Sequence, residues 1–159
     1  MQTLAAGRQT KQSGFTYLVM LIAVAVLSIS SAVTSEVLST SVLRDKETEL
    51  IFRGQAYQRA IESYYQAHSR FQYPRRLADL VNDPRFPNTH HLRQLYTDPI
   101  TDQAWLLIHS PDGGITGVAS SSLRQPLKRA NFSDELIHFQ ESVSYQDWQF
   151  IFVPIQAGE

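Results

Sequence analysis

The chain has 159 residues, a formal charge of -1 from 14 Lys and Arg against 15 Asp and Glu, and no cysteine. This length accommodates one ordinary domain and one additional element rather than two enzyme-sized domains. The balanced charge provides no general attraction for phosphates, so no nucleic-acid partner is expected. Without cysteine, the chain has no disulfide framework, no thiolate nucleophile and no Cys-ligated metal site.

The N-terminal region changes abruptly from polar to apolar. Residues 1–14 carry Arg8 and Lys11 and no acid, and the 21 residues 15–35 carry no charge. As a helix with a rise of about 1.5 Å per residue, this run extends roughly 31 Å, the thickness of the hydrocarbon core of a bilayer. Because the basic residues lie on its short N-terminal side, the run predicts a single transmembrane helix with a cytoplasmic N-terminus.

A secretory signal peptide is the alternative interpretation of the same run. A basic segment precedes the apolar stretch, and Ser30 and Ala32 have the spacing of a small-residue cleavage site. The product would then be an exported periplasmic binding or enzymatic domain. Residues 28–41 contain no Pro or Gly, which favours a helix that continues into the next segment.

The basic and apolar segments meet at Gly14, Phe15 and Thr16. This junction, with the leader charge and the apolar run, resembles the N-terminal signal of type IV pilins and type II secretion pseudopilins. The resemblance implies a leader at residues 1–14, cleavage after Gly14 by a prepilin peptidase, and methylation of the new N-terminal Phe15. It also implies that residues 15–35 form a transmembrane helix that packs against the same helix of other subunits. The residues expected in this assembly helix include Phe15, Thr16, Val19, Leu21 and Val24.

One position departs from the family pattern. Most members have Glu at the fifth residue after the cleavage site, where this chain has Val19. A carboxylate is costly within a bilayer, so its usual presence implies a specific contact between subunits. Its absence implies that this subunit lacks that contact and is a minor subunit of the fibre.

Residues 36–71 are predicted to continue the helix as an amphipathic segment. Apolar residues recur at spacings of seven, seven, four and three, which places them on one face. They are Leu43, Leu50, Tyr57, Ile61 and Tyr64. Gly54 costs about 1 kcal/mol relative to Ala in a helix interior, and it predicts either a bend or a close approach of the sheet. Tyr57, Tyr64 and Tyr65 are expected to pack on the sheet or on a neighbouring subunit.

Residues 72–159 are predicted to form a periplasmic α+β head. Strands are expected at residues 105–109, 115–120 and 147–153, and a Pro-Asp-Gly-Gly turn separates the first two. The predicted fold class is α+β, with a long N-terminal helix packed on a small antiparallel sheet in a pilin-like arrangement. Residues 95–108 and 113–122, a Pro-Leu-Lys stretch at 126–128 and a Tyr-x-Asp-Trp-x-Phe segment at 145–150 also resemble pseudopilin sequences, although Ile100 and Asp102 replace a Met and a Gly of that pattern.

The sequence contains no recognisable catalytic or metal-binding motif. It has no Gly-x-Ser-x-Gly, P-loop or dinucleotide-binding motif, and its five histidines lack a paired metal-binding spacing. Asp98, Asp102 and Asp112 are expected to cap turns, because the carboxylate density of a dedicated calcium loop is missing. The chain is therefore expected not to be an enzyme and to have no cofactor and no metal.

These expectations define a structural pseudopilin of a type II secretion system, or a closely related minor type IV pilin. It is expected in the bacterial inner membrane as a single-pass protein with a periplasmic head. The partners implied by the resemblance are prepilin peptidase, other pseudopilins or pilins, and an inner-membrane secretion or pilus assembly platform. Assembly through the N-terminal helix would give a periplasmic pseudopilus.

Overall fold

The computed structural model describes residues 13–69 and 71–154, with side chains described for residues 15–26 and from Thr40 onward. Helix α1 spans Ser13–Gln66 and helix α2 spans Ala78–Val81. The strands are β1 at Leu106–His109, β2 at Ile115–Ala119 and β3 at Gln149–Ile151. Two 3₁₀ helices, Asp134–Glu141 and Tyr145–Asp147, lie between β2 and β3. The predicted α+β class is confirmed.

Helix α1 is a single element of 54 residues. It ends at Gln66, before the predicted end at residue 71, and residues 67–69 form turns. Phe71 has a φ of 48°, which a right-handed helix does not allow. The chain therefore leaves the helix before Pro74, which would disfavour a helical conformation at Tyr73.

The predicted transmembrane helix at residues 15–35 is not borne out, and the single-pass inner-membrane location with a periplasmic head is corrected with it. Over the part of the chain that the structure describes, no helix is both long enough and apolar enough to cross a bilayer. Of the predicted leader, only Ser13 and Gly14 lie within the described residues.

The chain divides into two units between Ser41 and Val42, and the second unit contains the hydrophobic core. In that unit, one face of α1 is buried as predicted. Its fully or almost fully buried members are Leu50, Tyr57, Ile61 and Tyr64. Leu43 is partly buried beside them.

Gly54 marks a close approach between α1 and β3. A Cβ added at Gly54 would lie 2.3 Å from the ring of Phe150, which is far closer than a van der Waals contact. Of the two predicted alternatives, the close approach of the sheet is therefore correct. Glycine is required here because the aromatic ring occupies the space of a side chain.

The sheet has the strand order β1-β2-β3, and both neighbouring pairs are antiparallel. All three strands are shorter than predicted but lie within the predicted ranges. Gly113 has a φ of 81° in the turn before β2, a conformation that glycine adopts without steric cost. Trp148 and Phe150 are buried at alternate positions around the start of β3, because successive side chains of a strand point to opposite faces.

Candidate functional site

The first turns of α1 present an apolar surface. All 12 residues at positions 15–26 are exposed, and nine of them are large hydrophobic residues. The exposed fraction is 74% for Phe15 and 48% for Val19. A helix that is hydrophobic on all sides is typical of an element buried by other protein or by an apolar phase. These residues are therefore the strongest candidate contact surface.

The residues expected to carry assembly all belong to this surface. The structure places them in one helix with every side chain exposed: Phe15, Thr16, Val19, Leu21 and Val24. Residues 15–26 include no ionisable group other than Tyr17. Contacts here must therefore come from shape and apolar area, because no carboxylate is available to pair with a neighbour.

The predicted processing site lies at the start of the described part of α1. Gly14 is helical, and Phe15 has a largely exposed side chain. The peptide bond between Gly14 and Phe15 therefore adjoins an exposed side chain.

A buried carboxylate, Glu47, connects three parts of the second unit. It is 3% exposed, and its Oε1 accepts hydrogen bonds from the backbone N–H of Leu127 at 2.6 Å and of Lys128 at 3.0 Å. The hydroxyl of Tyr145 donates to the same oxygen at 3.0 Å. Burial, followed by the negative charge of Glu47, raises the pKa of Tyr145 and keeps its hydroxyl protonated as the donor. Glu47 thereby links α1 to a long loop and to a 3₁₀ helix.

The sequence did not predict that Glu47 is buried, although its position on the apolar face of α1 indicated a special contact. The apolar face of α1 contains Leu43, Leu50 and Tyr57, and Glu47 and Gly54 occupy the intervening positions at spacings of three and four. A charged residue and a glycine on the core face each indicate a special contact. The structure assigns a hydrogen-bonded carboxylate to the first and the Phe150 ring to the second.

Asp98 is the buried centre of the loop that precedes Trp105. Its Oδ1 accepts from the N–H of Ile100 at 2.9 Å, and its Oδ2 accepts from the hydroxyls of Thr101 and Ser120, both at 2.7 Å. The predicted role of Asp98 in a turn is thus confirmed. Asp102 has a φ of 57° and forms an exposed ion pair of 3.1 Å with Lys46.

A second polar cluster joins the end of α1 to the loop after α2. The buried carboxylate of Asp83 binds Arg85 through Nε and Nη2, and Nη2 also donates to the backbone oxygen of Tyr64 at 2.8 Å. His91 Nε2 lies 3.2 Å from Asp83, and its Nδ1 lies 2.8 Å from the hydroxyl of Ser63. Burial alone raises the pKa of Asp83, but hydrogen bonds from Arg85 and His91 outweigh it and lower that pKa to about 2.

Ser63, His91 and Asp83 have the connectivity of a catalytic triad, but their geometry is that of a structural tie. The Ser63 hydroxyl contacts Nδ1 of His91, and the Asp83 carboxylate contacts Nε2. In a serine-protease triad the serine contacts Nε2 and the aspartate contacts Nδ1. Ser63 also lies within α1, where its N–H and that of Tyr64 point to carbonyls four residues earlier and not to an oxyanion. The cluster therefore holds the end of α1 against residues 83–91.

The described part of the chain contains no candidate metal site. No group of three or more His, Asp or Glu side chains there is arranged to hold an ion. Of the adjacent pair His90 and His91, the second is bound to Ser63 and Asp83, and the first contacts the backbone oxygen of Val81. Asp112 lies in the turn between β1 and β2.

Comparisons with known proteins add no relative. No family model matches the chain, and no match is found among curated proteins or solved structures.

Proposed function

We propose that this chain is a structural pseudopilin, processed between Gly14 and Phe15 and assembled into a fibre through the N-terminal part of α1. The observation that carries this proposal is the row of exposed apolar residues at positions 15–26. A surface of this kind is stabilised when it packs against similar helices, because burial releases water from apolar area. The resemblance of the Gly14-Phe15-Thr16 junction to the pilin signal supports the same conclusion.

The continuity of α1 favours this function over an exported domain released by signal peptidase. That alternative requires a cut after Ala32, near the middle of a helix that runs from Ser13 to Gln66. Peptidases bind their substrates in an extended conformation, so a cut there would require opening the helix. The proposed cut between Gly14 and Phe15 removes only the start of α1 and leaves the rest of the helix intact.

Val19 supports a minor role within a type II secretion pseudopilus or a related pilus. It lies on the exposed surface, where most family members carry a carboxylate. A subunit without that carboxylate cannot neutralise a neighbour's N-terminal amine. This subunit would therefore enter the fibre at a position where that contact is not needed, with other pseudopilins as its neighbours.

The first test is the N-terminus of the mature protein. Intact-mass analysis of the protein from its native cells should give a chain that begins with N-methylated Phe15. Gly14→Leu should accumulate the unprocessed precursor, because a bulky side chain before the cut hinders the peptidase. A mature chain that begins at Val33 would exclude the proposal.

The second test uses the absence of cysteine from the chain. Single variants Val19→Cys and Leu21→Cys, produced in cells that contain the other subunits, should give disulfide-linked products with cysteine-substituted pseudopilins after mild oxidation. Phe52→Cys is the matched control, since it lies on α1 with 56% exposure but belongs to the second unit. Equal crosslinking of all three variants would argue against a specific helix contact.

A further inference from the structure

Two adjacent clefts open where α1 ends. The first, of about 380 Å³, lies between the end of α1 and the turn that joins β1 and β2. The second, of about 330 Å³, lies between α1 and the residues after β3. Tyr65 and Phe71 line both clefts, so their rings separate the two. Volumes of this size suit small ligands.

Four aromatic rings form a wall along these clefts, here named the aromatic wall: Tyr65, Phe71, Tyr73 and Phe152. The ring of Tyr65 is central, with centroid distances of 4.7 Å to Tyr73 and 5.6 Å to both Phe71 and Phe152. From the sequence, Tyr65 is expected to pack either on the sheet or on a neighbouring subunit. The structure places it in the wall, partly exposed.

Phe71 is the unusual member of the wall. Its φ of 48° is an outlier for a bulky residue, and its side chain is 58% exposed. Core burial therefore does not offset the cost of this conformation. Strained residues of this kind concentrate where a protein binds a ligand.

The wall is held in place by the fold. Gly114 packs so closely on Tyr73 that an added Cβ would lie 2.5 Å from the Tyr73 Cβ. The N–H of Ile115 donates to the backbone oxygen of Pro74 at 2.8 Å, and the Tyr73 hydroxyl donates to that of Phe152 at 3.4 Å. The rings are thus positioned before any ligand arrives, which reduces the entropy lost on binding.

The rim of the first cleft provides hydrogen-bonding groups of both charges. Gln72, Arg75 and Asp112 line it, and within the described residues none of these side chains has a hydrogen bond or ion pair of its own. A strongly charged ligand would meet one group of like charge. A neutral ligand with many hydroxyls can accept from Arg75 and donate to Asp112, while the amide of Gln72 does both.

We propose that the first cleft binds a neutral oligosaccharide. The apolar C–H faces of the sugar rings would stack on Tyr65 and Phe71, and the hydroxyls would bond to Gln72, Arg75 and Asp112. Aromatic faces and a mixed polar rim are the two features that such a ligand requires. All five residues belong to the second unit, so this proposal does not depend on the assembly function.

Saturation-transfer NMR with the full chain tests the proposal. The probes are cellotetraose, maltotetraose and chitotetraose, which are neutral and differ in linkage and substituents. At least one probe should receive saturation, and Phe71→Ala should weaken its binding about five-fold or more, since it removes one of the two rings on which the sugar stacks. Phe52→Ala, equally exposed on α1, should leave binding unchanged.

Further variants keep the test valid if Phe71→Ala is unstable. Arg75→Gln and Asp112→Asn alter exposed residues outside the hydrophobic core, and each should weaken binding of the same probe. The proposal is overturned if no probe binds at about 10 mM, a concentration that detects even the weakest specific ligands. It is also overturned if Phe52→Ala and Phe71→Ala reduce binding equally, or if a decaproline peptide displaces the sugar and binds more tightly.

Discussion

The hydroxyl of Tyr145 donates to the buried carboxylate of Glu47 at 3.0 Å across 98 positions of sequence. The same carboxylate oxygen accepts two backbone N–H groups from the loop at Leu127 and Lys128. A single side chain of α1 thus satisfies three donors from distant parts of the chain. Buried donors without an acceptor are costly, so loss of Glu47 would destabilise the second unit through all three donors.

Replacement of Glu47 should therefore be strongly destabilising. We expect Glu47→Ala to lower the free energy of unfolding by about 2–4 kcal/mol, because three donors lose their acceptor. Tyr145→Phe removes only one of these bonds and should cost about 1 kcal/mol. Urea unfolding measures both. Glu49→Ala is the control, with a side chain 45% exposed, and a loss from Glu47→Ala no larger than from this control would contradict the role.

Gly54→Ala should destabilise the protein although alanine is the better helix former. Helix propensity alone would favour alanine by about 1 kcal/mol. The new methyl group would lie 2.3 Å from the Phe150 ring, and overpacking of this kind costs about 1–3 kcal/mol. In a Phe150→Ala background the same substitution should become neutral or stabilising. Thermal unfolding of the double-mutant cycle tests this, and the same loss in both backgrounds would exclude the ring as the cause.

The Asp83 cluster should make the free energy of unfolding depend on pH in the acidic range. The pKa of Asp83 is lowered to about 2 in the folded protein, below its ordinary value of 3.8. Its contribution is therefore present above the unfolded pKa and is lost as the pH falls from about 5 through 2, because the unfolded chain binds the proton first. The shift corresponds to about 2 kcal/mol. Asp83→Asn should reduce stability at pH 7, and its difference from the wild type should shrink towards pH 2. A difference independent of pH would contradict this linkage.

Position 102 should prefer glycine to a branched residue. Asp102 has a φ of 57°, which Gly adopts freely and a β-branched residue adopts only with strain. Asp102→Gly loses an exposed ion pair to Lys46, a contact of about 0–1 kcal/mol, and should be nearly neutral. Asp102→Val should cost about 1–2 kcal/mol more than Asp102→Gly. Equal unfolding midpoints for these two variants would show that the conformation is not strained.

Introduction of a carboxylate at Val19 should affect assembly and leave the stability of the second unit unchanged. Val19 is exposed in the first unit, and the core lies in the second. Val19→Glu should therefore change the fraction of the protein recovered in fibres, while the thermal unfolding midpoint of the second unit stays the same. Val19→Leu controls for a change of side-chain size. The same fibre fraction for both variants would argue against a role for charge at this position.

Periodicity within α1 was readable from the sequence, whereas its partners were not. The spacing of Leu50, Tyr57, Ile61 and Tyr64 predicted the buried face, and the structure confirms it. The approximate positions of the three strands and the turn before β2 were predicted from the sequence, whereas the strand order β1-β2-β3 was not. The membrane prediction is corrected, since no helix in the described part of the chain is both long enough and apolar enough to cross a bilayer.

The sequence by itself determined the α+β class and the buried face of α1, because these depend on the spacing of nearby residues. It left open whether Gly54 marks a bend or a close approach of the sheet, and only the distant ring of Phe150 decided this. Only the tertiary structure revealed that Glu47 accepts from Tyr145, that Asp83 joins Arg85 and His91, and that Phe71 stands in an aromatic wall. Such contacts join residues that are separate in the chain or depend on where an exposed ring points. Local pattern contains no information about them, since they arise when whole elements pack together.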